Sequence, residues 1–168
     1  MDQHASRSVE EHRQAAPDSI RCAVLTLSDT RTEAEDKSGA FIRQALDWSG
    51  HEIVDYRILP DDPGQIRPLL AEWAARDDID AILTNGGTGI ARRDSTYDAI
   101  TSLLDKRLDG FGELFRMLSY EQIGAAAMLS RAVAGAIGTT IVVAMPGSSN
   151  AVHLAMEKLI LPELRHLV

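Results

Sequence analysis

The chain has 168 residues, 45% of them apolar and 25% charged, and carries a formal net charge of -8. That length holds one domain, because two half-size cores would each bury too little surface to offset backbone ordering. The acidic balance repels a polyphosphate backbone over most of the surface, and no basic stripe stands out beyond Arg92 and Arg93, so nucleic acid is not expected as a partner.

The first 18 residues carry Asp2, Glu10 and Glu11 without an apolar segment, so neither a signal peptide nor a membrane anchor is expected there. They read as an arm, mobile or touching another subunit, outside a single domain spanning 19–168. From Ile20 to Leu27 a β-branched and leucine-rich run suits a strand buried on both faces of a parallel sheet. A polar loop, Ser28 to Lys37, leads into Phe41, Ile42, Ala45 and Leu46 at helical spacing, and Gly50 supplies the stop. Its single cysteine, Cys22, falls in the first apolar run, which leaves no disulfide framework and no metal-spaced thiols and points to a buried thiol in a reducing, cytoplasmic compartment.

Glu52 to Leu59 alternates as a second strand, and Pro63 opens a helix carrying Ile66, Leu69, Leu70 and Trp73. A third, short strand, Asp80 to Thr84, runs into Asn85-Gly86-Gly87-Thr88-Gly89. Ser95 to Leu104 and Gly110 to Gly124 read as helices, the second with more apolar positions than one core-facing stripe uses, so part of it faces another subunit. Ala132 to Ile137 and Thr140 to Ala144 make two further strands around a Gly138-Thr139 turn. A last loop, Met145 to Asn150, precedes a helix with Val152, Ala155, Met156, Leu159 and Ile160. Strands alternating with helices predict a three-layer α/β/α fold with a mostly parallel central sheet and helices on both faces.

In such a sheet the strand carboxyl ends and helix amino ends meet on one edge, where free N–H groups and the helix dipole favour an anion. Three loops fall on that edge. They present Ser28 and Asp29; Gly86, Gly87, Thr88 and Gly89; and Pro146, Gly147, Ser148 and Asn150. Known phosphate motifs fail residue by residue: no Lys-Ser or Lys-Thr follows the glycines, and Arg92 stands where a dinucleotide fingerprint needs its third glycine. No nucleophile elbow surrounds Ser148, and the five histidines lack metal-ligand spacing. Two carboxylates face the same edge, Asp61 after the second strand and Asp94 after the glycine loop. Either they and their neighbours Asp62 and Ser95 cap the following helices, or they hold a divalent cation such as Mg²⁺ beside phosphate oxygens.

Thr84-Asn85-Gly86-Gly87-Thr88-Gly89, Arg93-Asp94, Gly110-Phe111-Gly112-Glu113, Leu129-Ser130-Arg131 and Met145-Pro146-Gly147-Ser148, in that order, resemble the molybdenum cofactor biosynthesis family of MoaB and MogA type. Phe115 to Glu121 and Ser130 to Gly135 are closer to the MoaB branch. The resemblance implies a domain that binds molybdopterin and assembles into trimers or hexamers, with other enzymes of the pathway as further partners. It also implies a reaction in which the pterin's terminal phosphate attacks the α-phosphate of ATP with Mg²⁺ present, releasing pyrophosphate. Asp61 and Asp94 would then be catalytic and would hold the Mg²⁺. Glu113, Ser130 and Arg131 would join the loop residues in binding pterin and nucleotide, with Arg93 a further charge partner. Asp94-Ser95-Thr96-Tyr97-Asp98 departs from the family pattern by placing Tyr97 where a proline is usual. A non-catalytic molybdopterin-binding or carrier protein of the same pathway is the alternative.

Overall fold

The computed structural model describes residues 16–90 and 95–168. The expected N-terminal arm, up to residue 15, lies outside the described residues, as do Arg92, Arg93 and Asp94. Strands β1 (Arg21–Leu27), β2 (Glu52–Leu59), β3 (Ala81–Asn85), β4 (Lys106–Arg107), β5 (Val133–Ile137) and β6 (Thr140–Met145) form one sheet in the order β2-β1-β3-β6-β5-β4. The pairings of β1 with β2, β1 with β3 and β3 with β6 are parallel, whereas β5 pairs antiparallel with both β6 and β4. The antiparallel edge follows from the connection. Gly138 and Thr139 alone join β5 to β6, and a parallel return needs a crossover of a dozen or more residues.

Alternation along the central strands divides the interior into two apolar layers. Cys22 and Val24 of β1 pack with Ala81, Leu83, Val143 and Met145 on one face of the sheet. Ala23, Leu25 and Leu27 pack with Ile82, Val142 and Ala144 on the other. The first layer is covered by α1 (Lys37–Trp48), α4 (Asp109–Ile123), α5 (Ser149–Ala155) and α6 (Leu161–Leu167), through Ile42, Leu46, Phe115, Val152 and Leu164. The second is covered by α2 (Pro63–Ala74) and α3 (Thr96–Thr101), through Ile66, Leu70, Trp73 and Ile100. Each fully buried aliphatic side chain here contributes about 1.5–3 kcal/mol relative to exposure. Burial pushes the Cys22 thiol up to about 12, so it is an inert packing group.

A 3-10 segment (Gly124–Leu129) follows α4, and a π turn (Met156–Ile160) separates α5 from α6. In the π turn the Leu161 N–H donates to the Met156 carbonyl. Pro162 comes next, and its ring would clash with the carbonyl four residues back in a regular helix, so the widened turn just before it relieves that contact. Helix α3 is shorter than the Ser95 to Leu104 span expected from periodicity, because Leu103 and Leu104 leave the helix to reach the antiparallel edge.

Candidate functional site

Main-chain bonds lace the carboxyl end of β3 to that of β6 and the end of β1 to that of β2. Gly86 N–H donates to the Met145 carbonyl at 3.0 Å, and Ser28 N–H to the Leu59 carbonyl at 2.9 Å. The backbones approach too closely for side chains. A Cβ on Gly86, whose φ is 99°, would sit 2.2 Å from the Leu27 carbonyl oxygen, and one on Gly147 would sit 2.9 Å from the Gly86 Cα. The three loops enclose a cleft of about 330 Å³, lined by Ser28, Arg31, Gly86, Gly87, Thr88, Gly89, Ser130, Pro146 and Gly147 with Leu27 and Leu129.

The two readings of the acidic pair after β2 separate cleanly. Asp62 caps α2, accepting from Gly64 N–H at 2.9 Å, and its bonds from the Gln65 side chain and that N–H hold its carboxyl below the usual range. Asp61 is thereby released from capping. Its N–H donates to Asp29 Oδ1 at 3.1 Å, and its Oδ1 accepts from Thr96 Oγ1 at 2.6 Å and Ser95 Oγ at 3.4 Å. Ser95 occupies the N-cap position of α3 but its side chain makes no cap bond, so the expected capping by Ser95 does not hold. Asp61 Oδ2 is buried and has no hydrogen-bond partner among the described residues. It lies under Gly87, where a Cβ would stand 2.9 Å from it and 2.2 Å from Thr96 Oγ1.

An unpaired, buried carboxylate oxygen costs several kcal/mol and invites a cation or a donor. No group of three or more acidic, histidine or cysteine side chains fit to hold a metal ion occurs among the described residues. Mg²⁺ rarely needs one, since it binds through one or two carboxylates with water and phosphate oxygens completing the shell. Asp61 therefore fits that ion. Asp94, its expected companion, lies outside the described residues.

One buried carboxylate escaped the sequence reading. Asp36, at 1% exposure, accepts from Thr26 Oγ1 at 2.5 Å and Tyr56 Oη at 2.6 Å through one oxygen, and from Gly39 N–H at 2.9 Å through the other. Asn85 Nδ2 donates to Thr26 Oγ1 at 2.9 Å, so the network crosses the ends of three strands. Burial, with the bond to Asp36 second, pushes the Tyr56 hydroxyl up and keeps it a donor. The same loop reaches the far wall of the cleft. Ser38 Oγ donates to the Gly147 carbonyl at 3.1 Å and Arg31 Nη2 to the same oxygen at 3.5 Å. The available signal was the Asp36-x-Ser38-Gly39 spacing at the start of α1, which reads as a helix cap and hides the rest.

Other expected site residues divide among neighbouring hollows. Ser148 and Asn150 line a basin of about 380 Å³ that shares Ser130 and Pro146 with the cleft, and Ser148 Oγ caps α5 by accepting from Ala151 N–H at 3.3 Å. Glu113 is not brought to the cleft. It borders a separate hollow of about 170 Å³ with Tyr97, Arg107 and Arg116. Arg131 lies behind the glycine loop, donating from Nε to the Thr88 carbonyl at 3.0 Å and from Nη2 to the Gly89 carbonyl, with Asp98 at 3.2 Å.

Fold and cleft together define an α/β domain of the ligand-cleft class, its glycine loops gathered at the carboxyl ends of parallel strands. The family model described as "Probable molybdopterin binding domain" matches residues 23–166, and the chain belongs to that family. It is 53% identical over 161 residues to molybdenum cofactor biosynthesis protein B of Bacillus cereus, with 95% of each chain covered. A crystal structure of a molybdenum cofactor biosynthesis protein B is 54% identical and superposes with a TM-score of 0.87 over 90% of this chain and 95% of that one. The tungsten cofactor synthesizing protein MoaB from Pyrococcus furiosus is 41% identical, with a TM-score of 0.81 over 90% and 96%. The resemblance read from the five motifs is borne out, with its leaning to the MoaB branch. No helix among the described residues is long and apolar enough to cross a membrane.

Proposed function

We propose that this chain binds molybdopterin with the terminal phosphate in the glycine cleft and adenylylates it from ATP. The observation that carries the reading is the buried Oδ2 of Asp61 beneath Gly87, without a hydrogen-bond partner among the described residues, at the edge of a loop cluster suited to phosphate. Mg²⁺ would be held through Asp61 and Asp94, and when bound it supplies positive charge against the crowded phosphate oxygens. The amides of Gly87 to Gly89 and of Gly147 and Ser148 hold the phosphates, with Gly86, whose N–H is bonded to the Met145 carbonyl, setting the turn, while Ser28, Asp29 and Ser130 border the ligand. A phosphate monoester oxygen forms the new bond to the α-phosphorus of ATP, the bond from that phosphorus to the bridging oxygen breaks, and pyrophosphate leaves. The nucleophile is already anionic, so the site needs no activated serine, cysteine or histidine; orientation and charge supply the rate. Incubation of the protein with molybdopterin, Mg²⁺ and ATP should release pyrophosphate, and release no faster than in an enzyme-free control rules the transfer out.

A second reading, a non-catalytic molybdopterin-binding or carrier protein, is favoured by Tyr97, which stands in the segment after Asp94 where a proline is usual. Under it, Asp61→Asn and Asp94→Asn support molybdenum cofactor formation in cells as well as the parent does. The exposed apolar side chains Leu114, Met117 and Tyr120 of α4, with Met128 at 79% exposure beyond it, suit a homotrimer or homohexamer. Light scattering that returned about 18.3 kDa would contradict assembly.

A further inference from the structure

Arg131 was expected to meet the ligand, yet it is absent from the residues that line the cleft and engages the glycine loop from behind. Its Nε donates to the Thr88 carbonyl at 3.0 Å and its Nη2 to the Gly89 carbonyl. Nη1 lies 3.2 Å from Asp98 Oδ2, and the guanidinium carbon stands 4.6 Å over the Tyr97 ring centroid. The guanidinium is thus engaged by the protein through all three nitrogens, and Asp98 is one partner of its charge.

We propose that Arg131 is a positioning residue for the phosphate-binding loop, acting through the Thr88 and Gly89 carbonyls, with Tyr97 and Asp98 setting its plane. The proposal rests on the reading of the cleft as a phosphate site. A trans peptide is planar, so its carbonyl and the following N–H point in opposite directions. Pinning the Thr88 and Gly89 oxygens to one guanidinium therefore fixes where the Gly89 and Ile90 N–H groups point. Two consecutive carbonyls demand donors that diverge in one plane, which the arginine fork provides and a lysine ammonium does not. The loop has reason to need such a strap. Gly86 and Gly87 both have positive φ, and glycines leave the backbone the largest conformational freedom to lose. Tyr97 then has a function that proline could not perform: its ring supports the guanidinium face, and α3 starts through it.

Amide hydrogen exchange on the ligand-free protein tests this without any assumption about the ligand. In Arg131→Lys, peptides covering Gly86 to Ile90 should exchange about tenfold faster while those of β1 and β6 stay unchanged. Tyr97→Ala should show a smaller increase, about threefold, and Tyr97→Phe should match the parent. Unchanged loop exchange in Arg131→Lys overturns the strap. If that variant exchanges fast everywhere, Tyr97→Ala decides the matter, and its loop exchanging at the parent rate overturns the proposal. Molybdopterin binding, followed by fluorescence quenching, should weaken about tenfold in Arg131→Lys and hold in Tyr97→Phe. A loosened loop with undiminished affinity overturns the positioning role. Absence of binding by the parent protein itself would instead sink the functional reading, while the exchange data would still judge the strap.

Discussion

Two carboxylates sit below the same loops and are treated in opposite ways. Asp36, under the loop after β1, has both oxygens bonded, to two hydroxyls and a helix N–H. Asp61, under Gly87, spends one oxygen on Thr96 and Ser95 and leaves the other buried without a partner among the described residues. Asp36 is fully buried and Asp61 only partly, but the Oδ2 of Asp61 is itself shut away from solvent. What separates them is satisfaction. A buried charge with all its lone pairs answered stabilises the scaffold, whereas one left half answered is kept for something that arrives later. The first ties β1, β2, β3 and α1 together, and the second lies beneath Gly87, one of the residues that line the cleft.

The contrast breaks most visibly if Asp36 can be removed cheaply. Asp36→Ala leaves the Thr26 and Tyr56 hydroxyls and the Gly39 N–H without their acceptor, and urea denaturation should show a loss of about 3–4 kcal/mol. A loss below about 1 kcal/mol would place Asp36 outside the scaffold. Gly87→Ala comes next, at about 2 kcal/mol, because φ is 61° and the new Cβ would meet Thr96 Oγ1 at 2.2 Å. Its Cβ also closes on Asp61 Oδ2, so it should abolish pyrophosphate release as well as lower stability; retained turnover would show that Asp61 needs no open approach there. Asp61→Asn should leave stability within about 1 kcal/mol of the parent, since an amide oxygen can still accept from Thr96 and no uncompensated charge remains. The same change should slow pyrophosphate release about a hundredfold or more, equivalent to about 2.7 kcal/mol of barrier. Large destabilisation with normal turnover would invert the roles of the two carboxylates.

The difference between the pair also marks where sequence reading stops. Asp61 was legible because it follows a strand and precedes a proline-started helix, a local context that recurs at strand carboxyl ends. Asp36 was not, because its partners Thr26 and Tyr56 are 10 and 20 residues away and only the register of β1 with β2 brings them together. The parallel core was readable from the run of β-branched and leucine residues between Ile20 and Leu27. Strand β4 was not: two exposed charged residues, Lys106 and Arg107, carry no apolar pattern and are strand only because β5 offers an open edge. Glu113 was misplaced for a related reason. A motif fixes its position on α4, but which hollow that face of the helix borders depends on how α4 crosses the sheet.

His51 supplies the smallest and most discriminating test, because its satisfaction depends on a proton. It is buried at the start of β2, and its Nδ1 accepts from the Ile20 N–H at 3.2 Å, which requires the neutral ring. Burial, with Arg165 adding to it, lowers its pKa below the ordinary value. A depressed histidine contributes stability that is fully present above the unfolded value of about 6.5 and is lost as pH falls through that value toward the folded one, because the unfolded chain takes up a proton the folded chain resists. His51→Asn keeps an acceptor oxygen in a similar place and does not titrate. Between pH 7.5 and 5.5 the parent should therefore lose more stability than the variant, by up to about 1 kcal/mol. His51 lies at the end of the sheet away from the loops, so molybdopterin affinity at the two pH values should differ equally in parent and variant. If the stability curves of the two proteins run parallel, the Ile20 contact does not depend on the protonation state of the His51 ring.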